Sequence, residues 1–532
     1  MVMKPILMDE EMEYSMSAAP ESGGNRRGEF HNLMLDAIRG QHAWLPDVRT
    51  PTGIYLENGS RYYLDSGYHN EFSSPEVASP REIAIYDRAS EQILLAAKAA
   101  VKKKTGDVDI CVTKNNVNFS MPDRAAWGQH EAYMCWVPLP SAAQQLIPHL
   151  VSRISYAGAG CLSGHAKGMG FELSQRARHM TRLTGRETTH HRAIFCTRAW
   201  KPSDMSEDGW TRTNLICKDS QRCSFGMYLS YGVTALLMMM VNQGHRLGAD
   251  VQLKDAVSAM RLFSLDPHLK VKVPLADGKR ATAIDIQRRY HAHAKQYLES
   301  ENYPEWAYEA FEHWTQTLDQ LESDPRQLEN RLDTYLKLRM FDRQLERHQC
   351  SWKQLQTALG QLDKLRGAAP EQVVRALLNE TSQGLESDHQ ALYEKLAKKR
   401  DYRGGNLEML RFALRMQALE LNYHELGGLF DRMLATGYID SVVVTPEKVR
   451  HALGNPPSGG RAEQRSQSIQ QVQGNAGWAC DWEYVINEAD QRWYDLRDPF
   501  VQQSKVTPIA DEFSRRRRRR SHIEDLMFRI AE

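Results

Sequence analysis

IYLENGSRYYLDSGYHNEFSS, residues 54–74, reads as an antiparallel hairpin. Asn58-Gly59 supplies the backbone angles a tight turn needs, and an aromatic-rich strand follows it. Toward the N-terminus, ILMDEEMEYSMS (6–17) alternates loosely in the manner of a second strand, with Glu11 and Glu13 on one face. Side chains two apart in a strand stand roughly 7 Å from one another. Two carboxylates held that close repel unless a cation or a proton lies between them. The pair therefore reads as a divalent-metal or metal–nucleotide site, or else as an exposed acidic strand edge. Oxygen donors with an occasional imidazole suit Mg2+ or Mn2+ better than zinc.

The hairpin holds a second cluster, Tyr63-Leu64-Asp65 followed by His69, Glu71 and Glu76. Asp65 suits a base, or the orienter of a nucleophile, if it stays ionised near a metal, and Glu71 suits a further ligand. The plainer alternative packs the aromatics into a sheet and uses Asp65 and His69 to cap the turn. A third group, Gly128-Gln129-His130-Glu131, is not the HExxH of metalloproteases, because position 134 is Met. Arg176, Arg178, Arg192, Arg198 and Arg212 offer forks that match phosphate oxygens, though their density is close to ordinary. The glycine-dense stretch Gly158–Gly170 lacks a following Lys-Ser/Thr, which excludes a Walker-type phosphate loop. Any ATP bound here is expected to rest on metals and arginines presented by a sheet.

The surrounding pattern is mixed α and β. Residues 18–33 are polar and glycine-rich and predict a loop. Residues 79–104 predict a helix that Ser79 caps, Pro80 opens and a lysine run closes. A strand is expected over 107–116 and a helix over 141–153; 303–430 is dominated by helical pattern, and 430–500 resembles a small α+β module. With 532 residues, 41% hydrophobic and 25% charged, the chain can bury a sizeable core, and global disorder is excluded. The net charge of +1 hides a mildly acidic body, because Arg515–Arg520 alone contribute six positive charges. That balance gives no support for an extensive nucleic-acid surface, and the arginine run reads as a solubilising tip or as a contact for an acidic partner. The longest apolar run, Val233–Val241, has nine residues against the roughly 20 of a membrane span, so no membrane association is expected. Acids by position nine exclude a signal or transit segment at the start, and eight scattered cysteines without a CxxC suit free thiols in a reducing cytoplasm.

Nine stretches in order carry a family resemblance: EEMEY (10–14), NGSRYYLDSGYHNEFSSPE (58–76), KNN (114–116), GQHEAY (128–133), FELSQRARH (171–179), RAIFCTR (192–198), DIQRRY (285–290), LELNYHE (419–425) and RDPF (497–500). In these the chain resembles the Pup ligase and depupylase family, whose fold is that of glutamine synthetase and other carboxylate–amine ligases. The resemblance implies an α+β fold: a large glutamine-synthetase-like domain with a curved antiparallel sheet and packed helices, plus a smaller C-terminal α+β domain. The expected division is 1–430 for the catalytic domain with a helical insertion near 350–405, 431–505 for the small domain and 506–532 for a basic tail.

By the same resemblance, Glu11, Glu13, Tyr63, Glu71 and His130 are expected to hold Mg2+, and Tyr63, Asn116 and Arg212 to contact ATP. Asp65 is the expected essential aspartate, with Arg192 and Arg198 as catalytic arginines. The implied reaction is ATP-dependent joining of the C-terminal glutamate of the disordered modifier Pup to substrate lysines through a glutamyl phosphate. Deamidation or depupylation, and non-catalytic binding of a Pup-like partner, are the alternatives. The span from Glu11 to Asp65, 54 positions, and the ending WEYVINEADQRWYDLRDPF are closer to the ligase branch, since depupylases carry an additional long loop in that interval. TRTNLICKDSQRCSF (211–225) departs from the family pattern: Asn214 stands for a histidine, Gln221 for an asparagine and Ser224 for a glutamate.

Overall fold

The computed structural model describes residues 4–19, 27–65, 67–106, 108–118, 126–165, 169–197, 209–366, 370–379, 383, 385, 387–398 and 407–508. Its largest element is a nine-stranded antiparallel sheet. The alternating N-terminal segment forms β1 (Met8–Ala19) in its middle. The quoted hairpin supplies β3 (Ile54–Leu56), β4 (Arg61–Leu64) and β5 (Asn70–Ser73), with β2 (Trp44–Pro46) on the outer edge of β3. β1 lies between β5 on one side and, on the other, β6 (Asp109–Thr113) and β7 (Gln129–Cys135) at its two ends. Thr211–Arg212 and Leu215–Lys218 add to the far side of β7. The turn at Asn58-Gly59 matches expectation, with Gly59 at φ +83°.

Strand register fixes the faces. Met12 and Tyr14 are buried beneath the sheet, among Ile54, Tyr62 and Phe72 from the hairpin. Two helices cover that side. Helix α1 (Arg27–Arg39) occupies part of the predicted 18–33 loop. Glycines and polar residues at its start hid an apolar spacing, Phe30, Met34 and Ile38, whose last two members are fully buried. Helix α2 (Pro80–Thr105) follows the expected signals: the Ser79 hydroxyl accepts from the Glu82 amide, and Gly106 closes the helix at φ +79°.

Beneath the sheet α2 also contributes charge. Lys114 lies against Asp87 and Glu91, Arg222 against Glu91 (3.3 Å) and Asp431 (2.8 Å), and Arg88 against Glu91 and Asp431. Lys114, Asp87, Glu91 and Arg222 have almost no solvent exposure, so each charge depends on its partners for the solvation it has lost. The apolar run around Val233–Val241 lies in the helix Ser224–Asn242, which is long and apolar enough to cross a membrane but is 94% buried in the protein core.

The stretch near 350–405 forms the helices Trp352–Arg366, Pro370–Leu378 and Ser387–Ala397, and its core contains Leu355, Leu359, Leu362, Val373 and Leu377. This core explains the glycine-dense stretch. A Cβ on Gly164 would stand 2.7 Å from the Gly360 nitrogen and 2.8 Å from its Cα, and one on Gly170 would stand 3.1 Å from the Gln356 Cα. Glycines here let a helix approach backbone to backbone. Toward the C-terminus, Arg461–Val472 is a helix and Trp478–Pro508 holds a four-stranded antiparallel sheet. The two pack over β2, joined by a bridge from Asp47 to Cys480. Arg515–Arg520 lie outside the described residues.

Because the two nearest atoms facing Gly164 are backbone, Gly164→Ala is expected to lower unfolding stability by about 1–3 kcal/mol in urea titration. A stability equal to that of the parent chain would refute the close-approach role of this glycine.

Candidate functional site

Pairing across four strands builds the site. β1 sets Glu11 opposite His130 of β7 and Glu13 opposite Glu71 of β5, while β4 sets Tyr63 on the other side of Glu71. All five side chains consequently line one cavity of about 380 Å³ on the upper face of the sheet. Asp65 follows β4 directly and lines the same cavity, as do Arg192 and Arg212. Glu13, Asp65 and His69 offer ligand atoms within 4.8 Å of one another.

The carboxylates are in different electrostatic states. Burial favours protonation of Glu11, but the Arg212 guanidinium and His130 outweigh it and hold this carboxyl well below the usual range. Arg212 donates to Glu11 at 3.0 Å and also pairs with Asp9, while His130 Nδ1 is 3.3 Å from Glu11. Glu71 is pushed well above the ordinary value by burial and then by the charges of Glu11 and Glu13. The Tyr63 hydroxyl donates to it and is itself driven upward by burial and by the charge on Glu71. For Asp65, burial is outweighed by hydrogen bonds from His69, so its carboxyl lies below the usual value. Asp65 accepts from the His69 amide at 2.6 Å. Glu13 accepts the Gly128 amide at 2.6 Å.

A second wall is cationic. Arg176 is fully buried, and its terminal nitrogens donate to the carbonyls of Trp127 and Ile216, both at 2.7 Å. Burial and the neighbouring charge of Arg192 lower its pKa to about 10. Arg192 is lowered by its own burial and donates to the Ala126 carbonyl at 2.8 Å. Two guanidiniums that share one wall and rest on carbonyl oxygens are well placed to receive an anion. The C-terminal segment contributes the third wall through Arg461 and Trp482, facing Arg49 and Arg61. Arg461 and Arg465 both pair with the buried carboxylate of Glu76, the former at 2.6 Å.

Not every expected residue reaches the cavity. Asn116, expected to contact nucleotide, is instead fully buried framework. Its amide donates to Trp127 O at 3.1 Å and Ser220 Oγ at 2.8 Å, and its oxygen accepts from the Ser220 amide at 2.6 Å. Two asparagines at a strand end are equally able to tie loops together, and here that use wins. Arg198 lies outside the described residues. Among the departures from the family pattern, Asn214 lines the cavity, Gln221 accepts from the buried Lys218 ammonium at 2.9 Å, and Ser224 begins a helix.

Residues that sequence reasoning passed over include Asp9, Arg61, Arg461 and Trp482. Asp9 had a signal, since it lies two positions before Glu11 on the same strand face. Arg461 and Trp482 had none, because nothing local connects them to the hairpin nearly four hundred residues earlier.

Known proteins share both sequence and fold with this chain. A family model described as Pup-ligase protein matches residues 31–383 and 407–486. A depupylase of Acidothermus cellulolyticus is 27% identical over 488 residues, covering 90% of this chain and 81% of the relative. A Pup deamidase/depupylase of Mycobacterium tuberculosis is 29% identical over 443 residues, covering 81% and 74%. A Pup–protein ligase of Acidimicrobium ferrooxidans is 27% identical over 466 residues, covering 85% and 88%. Among solved structures, the complex between the prokaryotic ubiquitin-like protein Pup and its ligase PafA superposes with a TM-score of 0.71 at 19% identity, covering 96% of this chain and 90% of the other.

The Glu76 pairing gives a test of how the C-terminal wall is held. Burial raises the Glu76 carboxyl, but Arg461 and Arg465 outweigh it and depress the value far below 4.5. A depressed folded-state value makes this stabilisation complete above the unfolded carboxyl pKa and lost as pH falls through the folded one. Glu76→Gln, which leaves two buried guanidiniums uncompensated, is expected to cost about 3–5 kcal/mol near neutrality. The gap between variant and parent should narrow as the pH drops below about 4. A gap independent of pH in acid denaturation would show that the charge on Glu76 is not what holds the wall.

Proposed function

Because the chain belongs to the Pup-ligase protein family, we propose that it joins the side-chain carboxylate of a Pup-type modifier's C-terminal glutamate to substrate lysines at the expense of ATP. The observation that carries this reading is the meeting, in one cavity, of the Glu11, Glu13 and Glu71 carboxylates with an ionised Asp65 and a wall of guanidiniums.

Forming an amide from a carboxylate and an ammonium is uphill in water, so the carboxylate must first be activated. ATP would phosphorylate the glutamate carboxylate and release ADP. Arg176 and Arg192 would take up the negative charge on the phosphoryl oxygens during transfer, and later on the departing phosphate. Only a neutral amine attacks, so Asp65 would orient the incoming lysine and receive its proton as the C–N bond forms. His69 donates its amide to Asp65 and so holds the carboxylate in place. Trp482 offers a flat face, and Arg49, Arg61 and Arg461, each already paired with a carboxylate, offer hydrogen-bond donors suited to the base and sugar-phosphate parts of ATP. The ADP complex of the Pup ligase PafA, which superposes with a TM-score of 0.64 at 20% identity and covers 93% of this chain and 94% of the other, supports a nucleotide in this fold.

The donor set fits a hard divalent cation. Burial, and after it the crowding of like charge by Glu11 and Glu13, raises Glu71, and such crowding is what a cation relieves. Glu11, Glu13 and Glu71, with Tyr63 and His130 beside them, would hold Mg2+, which supplies charge neutralisation at the phosphate oxygens when bound. A reducing cytoplasm is the proposed place of work, in keeping with eight free cysteines.

The reverse direction, release of modifier from lysine or deamidation of its terminal residue, is the second reading. It is favoured by depupylases of 27–29% identity that match alongside the ligases. The short interval between β1 and the hairpin favours ligation.

Incubating the chain with ATP, Mg2+, a Pup-type peptide ending in Gly-Gly-Glu and a lysine-bearing protein is expected to give a conjugate and ADP. Release of peptide from a preformed conjugate without net ATP use would favour the hydrolytic reading. Asp65→Asn is expected to reduce conjugation by about 10²- to 10⁴-fold while ATP binding is kept. Unchanged conjugation would remove Asp65 from the reaction. Glu71→Gln, which deletes the crowded like charge, should leave the melting temperature of the metal-free chain the same or higher. It should abolish the upward shift produced by Mg2+ and ATP; an intact shift would place the cation elsewhere.

A further inference from the structure

His130 reaches the carboxylates by lying across a glycine. Its imidazole spans the Glu11–Glu13 pair, with Nδ1 3.3 Å from Glu11 Oε2 and Nε2 3.8 Å from Glu13 Oε1. Gly128 stands just before β7, two positions from His130 and so on the same face of the chain. A Cβ on Gly128 would overlap the imidazole, standing 2.7 Å from Cδ2 and closer still to Nε2, and its three nearest atoms all belong to His130. Gly128 does not take a positive φ, so its lack of a side chain answers to the ring and not to the backbone angles.

The backbone at Gly128 has no freedom to retreat. Its amide donates to Glu13 Oε2 at 2.6 Å, and its carbonyl accepts from the Glu13 amide at 3.1 Å. The two residues before it are held as firmly. The Trp127 carbonyl accepts from Arg176 at 2.7 Å and from the Asn116 side chain at 3.1 Å, and the Trp127 amide donates to the Asn116 carbonyl at 3.1 Å. The Ala126 carbonyl accepts from Arg192 at 2.8 Å. An atom added at Gly128 must therefore be met by displacement of the imidazole, which lines the cavity and is the movable partner.

We propose that Gly128 is a positioning residue for the cation: by leaving the space of a methyl group empty, it seats the His130 imidazole across Glu11 and Glu13 so that a nitrogen donor joins the carboxylates. This rests on the cation reading given above and deepens it. Mg2+ strongly prefers oxygen and gains little from an imidazole, whereas Mn2+ accepts nitrogen more readily. The seating of the ring thus sets the preference of the site for Mn2+ over Mg2+. Gly128 acts on that preference without touching the cation, and the fold does not depend on it.

The test uses the full chain, with bound Mn2+ read by electron paramagnetic resonance and Mg2+ affinity read by its competition with Mn2+. Gly128→Ala is expected to weaken Mn2+ binding by roughly 10- to 100-fold. Mg2+ binding should weaken by about threefold or less, so the ratio of the two affinities falls. His130→Ala should lower the ratio to a similar extent. Adding Gly128→Ala to His130→Ala should then change either affinity by less than about twofold, because the ring through which Gly128 acts is gone. The melting temperature of metal-free Gly128→Ala should stay within about 2 °C of the parent value. An unchanged Mn2+ affinity in Gly128→Ala overturns the role of Gly128 alone. So does a further loss of affinity when Gly128→Ala is added to His130→Ala, or an unfolding of Gly128→Ala that His130→Ala does not relieve. A parent chain that takes up neither Mn2+ nor Mg2+, alone or with ADP, overturns the cation reading and this role with it.

Discussion

Like charges held on one face of a sheet are the constraint on which this molecule is built. The register of β1 against β5 and β7 places Glu13 opposite Glu71 and Glu11 opposite His130. A one-residue slip would bury this set and expose Met12 and Tyr14. The aromatic and aliphatic contacts below the sheet are what make that slip costly, so the hydrophobic face enforces a repulsive arrangement on the opposite one. Burial first, and then the charges of Glu11 and Glu13, push the Glu71 carboxyl well above its ordinary value.

The two faces treat charge in opposite ways. Beneath the sheet, Lys114, Asp87, Glu91, Arg88, Arg222 and Asp431 form a closed set in which each ion has a partner of the other sign. Above it, carboxylates face one another, and Arg176 and Arg192 rest on carbonyl oxygens. A buried set with mutual partners rigidifies a scaffold, while a set with excess charge of each sign in separate places is ready for ligands of the opposite charge. That contrast separates framework from site here more clearly than any single residue does. It also accounts for Asn116, whose hydrogen-bonding groups are consumed within the framework.

The C-terminal segment is part of the site and not an appendage. Glu76 closes the quoted hairpin and lies against Arg461 and Arg465, and Trp482 stands 4.6 Å below the Arg465 guanidinium. Arg49 reaches Asp481 at 2.5 Å, and Arg61 reaches Asp47 at 2.7 Å. The pairs of Glu76 and Arg49 tie a distant stretch of chain onto the β2–β5 side of the sheet, while Arg61–Asp47 braces β4 against the end of β2.

Much of this was legible in the residues alone. Period-two spacing paired Glu11 with Glu13, Asn58-Gly59 marked the hairpin that carries Tyr63, Asp65 and Glu71, and Ser79-Pro80 marked the start of α2, because each is a local signal set by backbone geometry. The helix α1 was hidden because polar and glycine residues at its start outweighed a short apolar spacing. The glycines at 158–170 excluded a Walker-type phosphate loop, but nothing local showed that Gly360 packs against them. Sequence by itself determined which chemistry the chain could hold: oxygen donors, a base and arginines on strands of known facing. Only the tertiary structure decided which of them meet, that Asn116 stays out and that Arg461 and Trp482 come in. Contacts between residues hundreds of positions apart are set by how whole faces pack, and no local pattern encodes that.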